Sequence, residues 1–232
     1  KPLQKLKPFF KHKGLSMIDS KNLAEMRRQY ITHTLHERDI SEDPILQFER
    51  WFNDALKSAS VEPNAMILAT AGKTGIPSVR AVLLKKFDHH GFVFFTNCNS
   101  RKGRDISTNP TAQILFFWPE LERQIRISGT LQQVSPSESD IYFESRPYRS
   151  KIAACASPQS EIIPDRDFIE QRIKEFEDKF QFQKEIPRPS YWGGFCLVPE
   201  YFEFWQGRED RLHDRLIYTK CDTIWKIQRL AP

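Results

Sequence analysis

The sequence lacks several features that mark common protein classes. Its four cysteines include no C-x-x-C pair and have no histidine at metal-ligand spacing, so a zinc site is not expected. They are instead predicted to be reduced thiols of a cytoplasmic protein. The longest apolar runs, such as 65–69 and 114–118, are far shorter than the roughly 20 residues that cross a bilayer, and no signal-peptide pattern follows the basic N-terminus. We therefore expect neither a membrane span nor secretion.

Signatures of several enzyme classes are also missing. With only 9 glycines, the sequence contains no P-loop and no Rossmann turn. It has no G-x-S-x-G elbow, no H-E-x-x-H motif and no kinase signature. The composition is 39% hydrophobic and 28% charged, with 18 Phe, 6 Tyr and 5 Trp to fill a core. It predicts a folded globular protein rather than a disordered chain.

The positive charge is concentrated at the N-terminus. Lysine and arginine total 35, whereas aspartate and glutamate total 30. Residues 1–16 hold five lysines and no acid, so this segment accounts for the whole excess. We predict a disordered basic extension over 1–19 and a single domain over 20–232. A nucleic-acid module remains an alternative, which strong salt-dependent DNA binding by a chain lacking residues 1–16 would support.

Alternating apolar patterns separated by turn residues predict a mainly β fold. The expected strands span 64–71, 77–87, 92–97, 111–118, 123–134, 192–206, 212–220 and 223–230. Helices are expected at 20–35, from Asp43-Pro44 onward, and at 100–109, 137–156 and 166–182. Because short turns join many of the strands, we expect an antiparallel barrel of about six to eight strands with flanking helices.

Two segments combine cations with hydroxyl groups in a way that suits phosphate. Arg80 and Lys85 lie near the two ends of one predicted strand, and their opposite parity would point them to opposite faces of a regular strand. The segment 96–103 lies where a strand ends and a helix begins, and it offers hydroxyls, adjacent cations and free N–H groups. Each segment alone also fits an ordinary solvated surface.

A second anion site is predicted further along the chain. Tyr142 and Arg146 are four residues apart on one predicted helical face, and Ser150 follows one turn later. On the strand 123–134, Gln124 belongs to a polar face that meets solvent, a ligand or a partner subunit. The role of the polar pair Gln159-Ser160 is not visible from composition.

The strongest cluster follows Trp205 near the C-terminus. Arg211, His213 and Arg215 share strand parity, so all three side chains can point to one face. A histidine suits general acid–base work and two arginines suit anion binding, although a structural histidine fits as well. The two anion sites described above suggest a phosphorylated cofactor and a phosphorylated substrate.

In order and spacing, these motifs resemble the pyridoxamine 5′-phosphate oxidase family. The resemblance runs from about residue 43 to residue 232 and rests on RAVLLK at 80–85, FTN at 95–97, SRK at 100–102, RQ at 123–124, YFxSRP at 142–147, QS at 159–160, WGG at 192–194, EFWQG at 203–207, RLHDR at 211–215 and RLAP at 229–232. It implies an antiparallel FMN-binding split β-barrel that works as a homodimer, with FMN (flavin mononucleotide) between the subunits. The strands of 192–232 would then serve dimerisation and the active site.

Matched position by position, the resemblance implies the following site residues. Contacts to FMN are expected from Arg80, Ala81, Val82, Leu83, Phe95, Thr96, Ser100, Arg101, Lys102, Gln159, Ser160, Trp205 and Arg215, and from Gln124 of the other subunit. Contacts to the substrate are expected from Lys85, Tyr142, Arg146, Ser150, Arg211 and His213. Arg211 and His213 would also be the catalytic pair, and no metal ligand is implied.

The family's reaction oxidises pyridoxamine and pyridoxine 5′-phosphate to pyridoxal 5′-phosphate. A hydride passes from substrate C4′ to the flavin, oxygen becomes hydrogen peroxide, and the amine releases ammonia. We expect Arg211 and His213 to position and polarise the substrate, rather than His213 to act as an obligatory base. Two alternatives are a split-barrel flavin oxidase acting on another ring, such as a phenazine precursor, and a non-catalytic carrier of flavin or pyridoxal phosphate. We expect no nucleic-acid or membrane partner.

Overall fold

Nine antiparallel strands make one curled sheet in the computed structural model, which describes residues 29–183 and 185–232. The strands are β1 (Ala65–Ala71), β2 (Pro77–Leu83), β3 (Lys86–Asp88), β4 (Gly91–Asn97), β5 (Thr111–Trp118), β6 (Arg123–Gln133), β7 (Trp192–Gln206), β8 (Asp214–Cys221) and β9 (Ile224–Leu230). Their order is β2-β1-β5-β6-β7-β4-β3, and β8 and β9 extend from β7. The predicted antiparallel β fold is confirmed, with one strand more than the upper estimate.

Five helices accompany this sheet within the described residues. They are α1 (Pro44–Lys57), α2 (Arg101–Thr108), α3 (Pro136–Ser145), α4 (Tyr148–Ala156) and α5 (Arg166–Phe180). Helix α1 begins as predicted, because the Asp43 carboxylate accepts a hydrogen bond from the Ile45 N–H at 2.8 Å and Pro44 takes the first helical position. Among the described helices, none has the length and apolar character needed to cross a membrane.

One face of the sheet is a continuous apolar layer. It runs in register across β5 to β8 through Phe116, Ile125, Phe204 and Leu216. All four side chains are fully buried. Phe48 of α1 packs on this layer, with ring centroids 5.1 Å from Phe116. Because strand side chains alternate, the intervening residues point to the opposite face of the sheet.

The predicted strand 77–87 is two strands, separated at Leu84 and Lys85. Strand β2 pairs with β1, whereas β3 pairs with β4. At the break, the Leu84 N–H donates to the Asn64 carbonyl at 2.9 Å and the Lys85 N–H donates to the Val93 carbonyl at 2.8 Å. The chain therefore changes its pairing partner here and connects the two ends of the strand order.

The predicted helix 137–156 is also interrupted, at Arg146 and Pro147. Arg146 has φ −73° and ψ 147°, which is the extended conformation that a following proline favours. Helix α3 therefore ends at Ser145, and α4 begins at Tyr148. Arg146 therefore does not follow the helical periodicity of α3, and α3 and α4 are separate helices.

The predicted helix 20–35 is wrong over its described part. Residues 29–35 contain no helix. The Thr32 N–H donates to the Glu122 carboxylate, and the Leu35 N–H donates to the Asp214 carboxylate, each at 3.1 Å. These two N–H groups thus donate to carboxylates of the barrel, and not to the backbone carbonyls that would accept from them in a helix. Residues 20–28 and the predicted extension 1–19 lie outside the described residues.

Phe48 gives a direct test of this packing. Its ring is fully buried and meets five other aromatic rings, so Phe48→Ala should lower the free energy of unfolding by about 3–5 kcal/mol. Urea denaturation measures the change. Phe182→Ala is the matched control, because Phe182 is 92% exposed and should change stability by less than about 0.5 kcal/mol. Equal stability of the two variants would contradict the packing described.

Candidate active site

A cavity of about 920 Å³ opens beside β2, β4 and helices α2 to α4. Among the described residues, five cations and no carboxylate line it. The predicted site residues that it brings together are Arg80, Ala81, Val82, Leu83, Lys85, Phe95, Thr96, Arg101, Lys102, Tyr142, Arg146, Ser150, Gln159 and Ser160. Such an excess of positive charge in a concave site suits an anionic ligand.

Lys102 is the most buried of these cations. Its ammonium donates to Thr96 Oγ1 at 2.8 Å, Ser100 Oγ at 3.0 Å and Gln159 Oε1 at 2.9 Å. No carboxylate forms an ion pair with it in the described part of the chain. Burial, together with the nearby Arg80 charge, lowers the pKa of Lys102 to about 8. Ser100, which was predicted to contact a cofactor, is fully buried and holds Lys102 instead of lining the cavity.

Arg80 lies beside Lys102 and is fixed by the strands around it. Its Nη1 donates to the Leu68 carbonyl at 3.2 Å and to Thr70 Oγ1 at 2.7 Å, and its Nη2 donates to Ser78 Oγ at 2.7 Å. Arg101 stands at the first position of α2, where the helix dipole adds positive potential. These three cations and the helix start form one strongly positive end of the cavity.

A second group of donors lines the same cavity. It consists of Lys85, Tyr142, Arg146 and Ser150. The prediction that Arg80 and Lys85 face opposite ways is wrong, because the strand is broken between them. The shared helical face predicted for Tyr142 and Arg146 is also wrong, since Arg146 lies beyond the end of α3, yet both side chains reach the cavity.

Arg146 is held against apolar rings. Its guanidinium lies 4.7 Å from the centroid of the Trp192 ring and 5.6 Å from that of Phe143. Its Nη1 is buried and has no hydrogen-bond partner among the described residues. Burial lowers the pKa of Arg146. An unpaired buried donor that lines a cavity is suited to an anionic ligand.

Three parallel aromatic rings form part of the cavity wall. Phe95 stacks on Tyr142 with centroids 4.0 Å apart, and its ring lies 5.6 Å from Trp192. The planes of Tyr142 and Trp192 differ by only 5°. Aromatic rings beside cationic ends suit a ligand that carries a planar ring and a phosphate.

A different part of the sheet carries three other predicted site residues. Gln124, Trp205 and Arg215 are directly opposite one another on β6, β7 and β8. They lie on the sheet face opposite the buried apolar layer, as the alternation in β6 predicted, and they are half-buried. None of the three lines the cavity.

The predicted common strand face for Arg211, His213 and Arg215 is wrong. Arg211 ends a one-turn 3₁₀ segment and has φ +63°, and β8 begins only at Asp214. Arg211 and His213 also lie outside the cavity lining. The positive φ angles reorient the chain, so strand parity does not apply across these residues.

His213 has a defined tautomer. The Arg208 N–H donates to His213 Nδ1 at 3.1 Å, so Nδ1 is unprotonated and the ring proton lies on Nε2. Burial and the Arg211 charge lower the pKa of His213. Its ring lies 4.6 Å from Trp205 and 5.7 Å from Tyr30. His213 is thus set up as a neutral hydrogen-bond donor.

Sequence reasoning missed several residues that support these groups. Tyr30 was assigned to a helix, but its ring packs edge-on against Trp205 at 5.8 Å. Glu203 is 2% exposed and accepts hydrogen bonds from Arg215 and Arg126. Although burial alone raises it, these two arginines hold the pKa of Glu203 below its usual value. The only sequence signal was the place of Glu203 in the EFWQG segment, which does not reveal its partners.

Comparison with known proteins identifies the family. Residues 52–180 match the family described as pyridoxamine 5′-phosphate oxidase. The chain belongs to this family. Residues 192–232 match the family's C-terminal dimerisation region, described for pyridoxine 5′-phosphate oxidase. The membership makes the protein an oxidoreductase and confirms the resemblance read from the motifs.

Similar proteins cover nearly the whole chain. A pyridoxine/pyridoxamine 5′-phosphate oxidase of Trichormus variabilis is 53% identical over 91% of this chain and 99% of its own length. One from Cupriavidus pinatubonensis is 52% identical over 90% and 99%, respectively. Among solved structures, PhzG from Burkholderia lata, in complex with tetrahydrophenazine-1-carboxylic acid, aligns with a TM-score of 0.81 and 32% identity over 88% of this chain and all of its own. These family members share the split-barrel fold.

Lys102 provides a test of the anion site. A fall in its pKa from 10.5 to about 8 corresponds to about 3 kcal/mol of unfavourable burial at neutral pH, which a bound anion would offset. Inorganic phosphate should therefore raise the melting temperature of the wild type and raise that of Lys102→Met much less. Chloride at equal ionic strength controls for screening, and Lys73→Met, at an exposed turn position, controls for loss of charge.

The pH dependence has a defined sign. The unfolded chain retains the Lys102 proton up to about pH 10.5, whereas the folded protein releases it near pH 8. The wild type should therefore gain stability relative to Lys102→Met as the pH rises through this window. Equal stabilisation of both proteins by phosphate, or a difference in stability that is independent of pH, would contradict this account of the site.

Proposed function

We propose that this protein oxidises pyridoxamine and pyridoxine 5′-phosphate to pyridoxal 5′-phosphate, with FMN as its cofactor. The observation that carries the proposal is the cavity itself, which has two groups of phosphate donors, a wall of parallel aromatic rings and no carboxylate among its described lining residues. The names of the relatives that are about 50% identical over nearly the whole chain support the same substrates.

The first group of donors fits the phosphate of FMN. Arg80, Arg101 and Lys102 supply three cations, and Thr96 and Ser160 add hydroxyl groups. Lys102 is paired only with neutral oxygens, so a phosphate would provide the negative charge that its surroundings lack. When bound, FMN supplies the hydride acceptor at N5 and passes the electrons on to oxygen.

The second group of donors fits the phosphate of the substrate. Lys85, Tyr142, Arg146 and Ser150 offer charged and neutral hydrogen bonds to a phosphate dianion. Arg146 has the unpaired buried Nη1 that such a ligand would satisfy. Binding at this remote group orients the reacting carbon, C4′, without taking part in the chemistry.

The proposed reaction balances as a two-electron oxidation. Substrate C4′ loses a hydride, its hydroxyl or amino group loses a proton, and oxygen takes up two electrons and two protons to form hydrogen peroxide. The alcohol substrate gives the aldehyde directly. The amine substrate gives an imine, which water hydrolyses to the aldehyde and ammonia.

A second copy of the chain would complete the site. Gln124, Trp205 and Arg215 lie on a sheet face that also exposes Phe117, and none of them lines the cavity of their own chain. The match of residues 192–232 to a dimerisation region supports a homodimer built on this face. We infer that one copy provides the cavity and its partner provides these residues together with Arg211 and His213.

The activity can be tested directly with the purified protein. In air, with FMN and pyridoxine 5′-phosphate, pyridoxal 5′-phosphate and hydrogen peroxide should form in equal amounts, and both should be lost when FMN is withheld from the apoprotein. Binding of FMN without turnover of pyridoxine 5′-phosphate would favour a non-catalytic carrier. Turnover only of a phenazine precursor, the class of ligand in the similar PhzG structure, would favour the other oxidase.

Arg146 should contribute through the substrate phosphate. Removing a charged hydrogen bond costs about 1.5–3 kcal/mol, so Arg146→Met should lower kcat/KM for pyridoxine 5′-phosphate by about 10- to 150-fold. Steady-state kinetics should show no comparable loss with unphosphorylated pyridoxine. Arg149→Met is the matched control, because Arg149 is an exposed neighbour that does not line the cavity. An equal loss with both substrates would contradict the assigned role.

His213 should act by positioning, because its Nε2–H can donate and its Nδ1 is already occupied. His213→Asn should therefore raise KM by about tenfold and change kcat less, as expected for loss of one hydrogen bond to bound substrate. Stopped-flow measurement of flavin reduction separates substrate affinity from the rate of the chemical step. Abolished flavin reduction with unchanged affinity would instead make His213 an obligatory base.

A further inference from the structure

One carboxylate lies next to the cationic end of the cavity, outside the cavity lining. Asp105 of α2 is 15% exposed through its side chain, and its Oδ2 lies 3.8 Å from Arg80 Nη2. Among the described residues, it is the only carboxylate within ion-pair distance of any of the five cations that line the cavity. Asp105 does not line the cavity itself.

A buried hydroxyl connects the same two residues. Thr70 is 3% exposed, and its Oγ1 donates to Asp105 Oδ2 at 2.8 Å. The same oxygen accepts from Arg80 Nη1 at 2.7 Å. Because a carboxylate only accepts, Asp105 fixes the direction of the threonine proton and leaves the oxygen lone pairs turned towards Arg80. The hydrogen bonds therefore run in one direction, from Arg80 to Thr70 and from Thr70 to Asp105.

These contacts determine which donors Arg80 presents to a ligand. A guanidinium has five N–H donors. Three of them are taken by Leu68, Thr70 and Ser78, so two remain. Without Asp105, the neighbouring Arg101 charge, which disfavours the charged form of Arg80, would be opposed by no nearby carboxylate among the described residues.

We propose that Asp105 is a positioning residue that, directly and through Thr70, fixes Arg80 for the phosphate of FMN. The inference rests on the proposed function, because it takes the ligand of Arg80 to be that phosphate. Asp105 does not line the cavity, so its positioning effect reaches the cofactor through Arg80. It therefore contributes to the preference for FMN over riboflavin, which has the same ring system and lacks the phosphate.

Substitution of Asp105 distinguishes an effect on the position of Arg80 from an effect of the lost negative charge. Asp105→Asn removes a negative charge near the phosphate site, so an effect of charge alone would tighten FMN binding. Loss of positioning would weaken it, because Arg80 would lose its ion pair and the threonine proton its fixed direction. The two explanations predict opposite signs, and the measured direction decides between them.

The test is the dissociation constant of each flavin, measured by quenching of flavin fluorescence on titration with apoprotein. We expect Asp105→Asn and Thr70→Val to weaken FMN binding about tenfold, as for a disturbed charged hydrogen bond, and to leave riboflavin binding within about twofold. Thr70→Ser, which keeps the hydroxyl, should restore FMN binding.

The control is Asp54→Asn. Asp54 also pairs with an arginine, Arg123, at 2.7 Å, but it lies on α1 and does not line the cavity. This variant should retain the wild-type preference for FMN, and melting temperatures of all the apoproteins show how much each substitution affects folding.

Three results would overturn the inference. They are FMN binding by Asp105→Asn as tight as in the wild type or tighter, equal weakening of FMN and riboflavin, and failure of Thr70→Ser to recover. A wild type that does not prefer FMN over riboflavin would instead contradict the proposed function, so the two failures are distinguishable.

Discussion

The placing of five cations around one cavity, three of them partly or fully withdrawn from water, is the constraint on which the rest of the site depends. Five positive side chains line the cavity and no carboxylate among the described residues lines it with them. The fold holds one buried and two half-buried cations, each in a different way. Lys102 is held by neutral oxygens, Arg80 by strand groups and Asp105, and Arg146 by aromatic rings. Such an arrangement is costly without a bound anion, and the proposed phosphates would offset that cost.

The fold makes this arrangement possible through two interruptions. The break at Leu84 and Lys85 moves the chain from one end of the strand order to the other, and it brings Lys85 to the same cavity as Arg80. Pro147 ends α3 early and frees Arg146 to lie on Trp192. Each interruption contains a cation of the cavity, Lys85 in one and Arg146 in the other, so local backbone geometry determines where these charges lie.

Much of the fold could be predicted from local patterns, because alternation, turn residues and helix caps are local physics. Asp43 and Pro44 mark the start of α1, and the polar face of β6 was assigned correctly. The break at Lys85 could not be predicted, since it depends on pairing with residues distant in sequence. The prediction from strand parity was wrong at Arg211 because its backbone has a positive φ, and the residue type gives no sign of this conformation. The motifs predicted many of the residues that the structure brings together in the cavity, but not the separation of Trp205 and Arg215 from it.

The cavity and the family's dimerisation region together predict that one chain holds the cavity and its partner supplies the C-terminal residues. Activity of mixed dimers tests it most directly. Arg146→Met removes a cavity donor and Arg215→Met removes a residue of the outer sheet face, and each homodimer should have low activity. If the two residues serve one site from different chains, a mixed dimer contains one intact site and should regain about half of the wild-type activity per dimer. Mixed dimers no more active than either variant alone would show that both residues act within the same chain and would contradict the account.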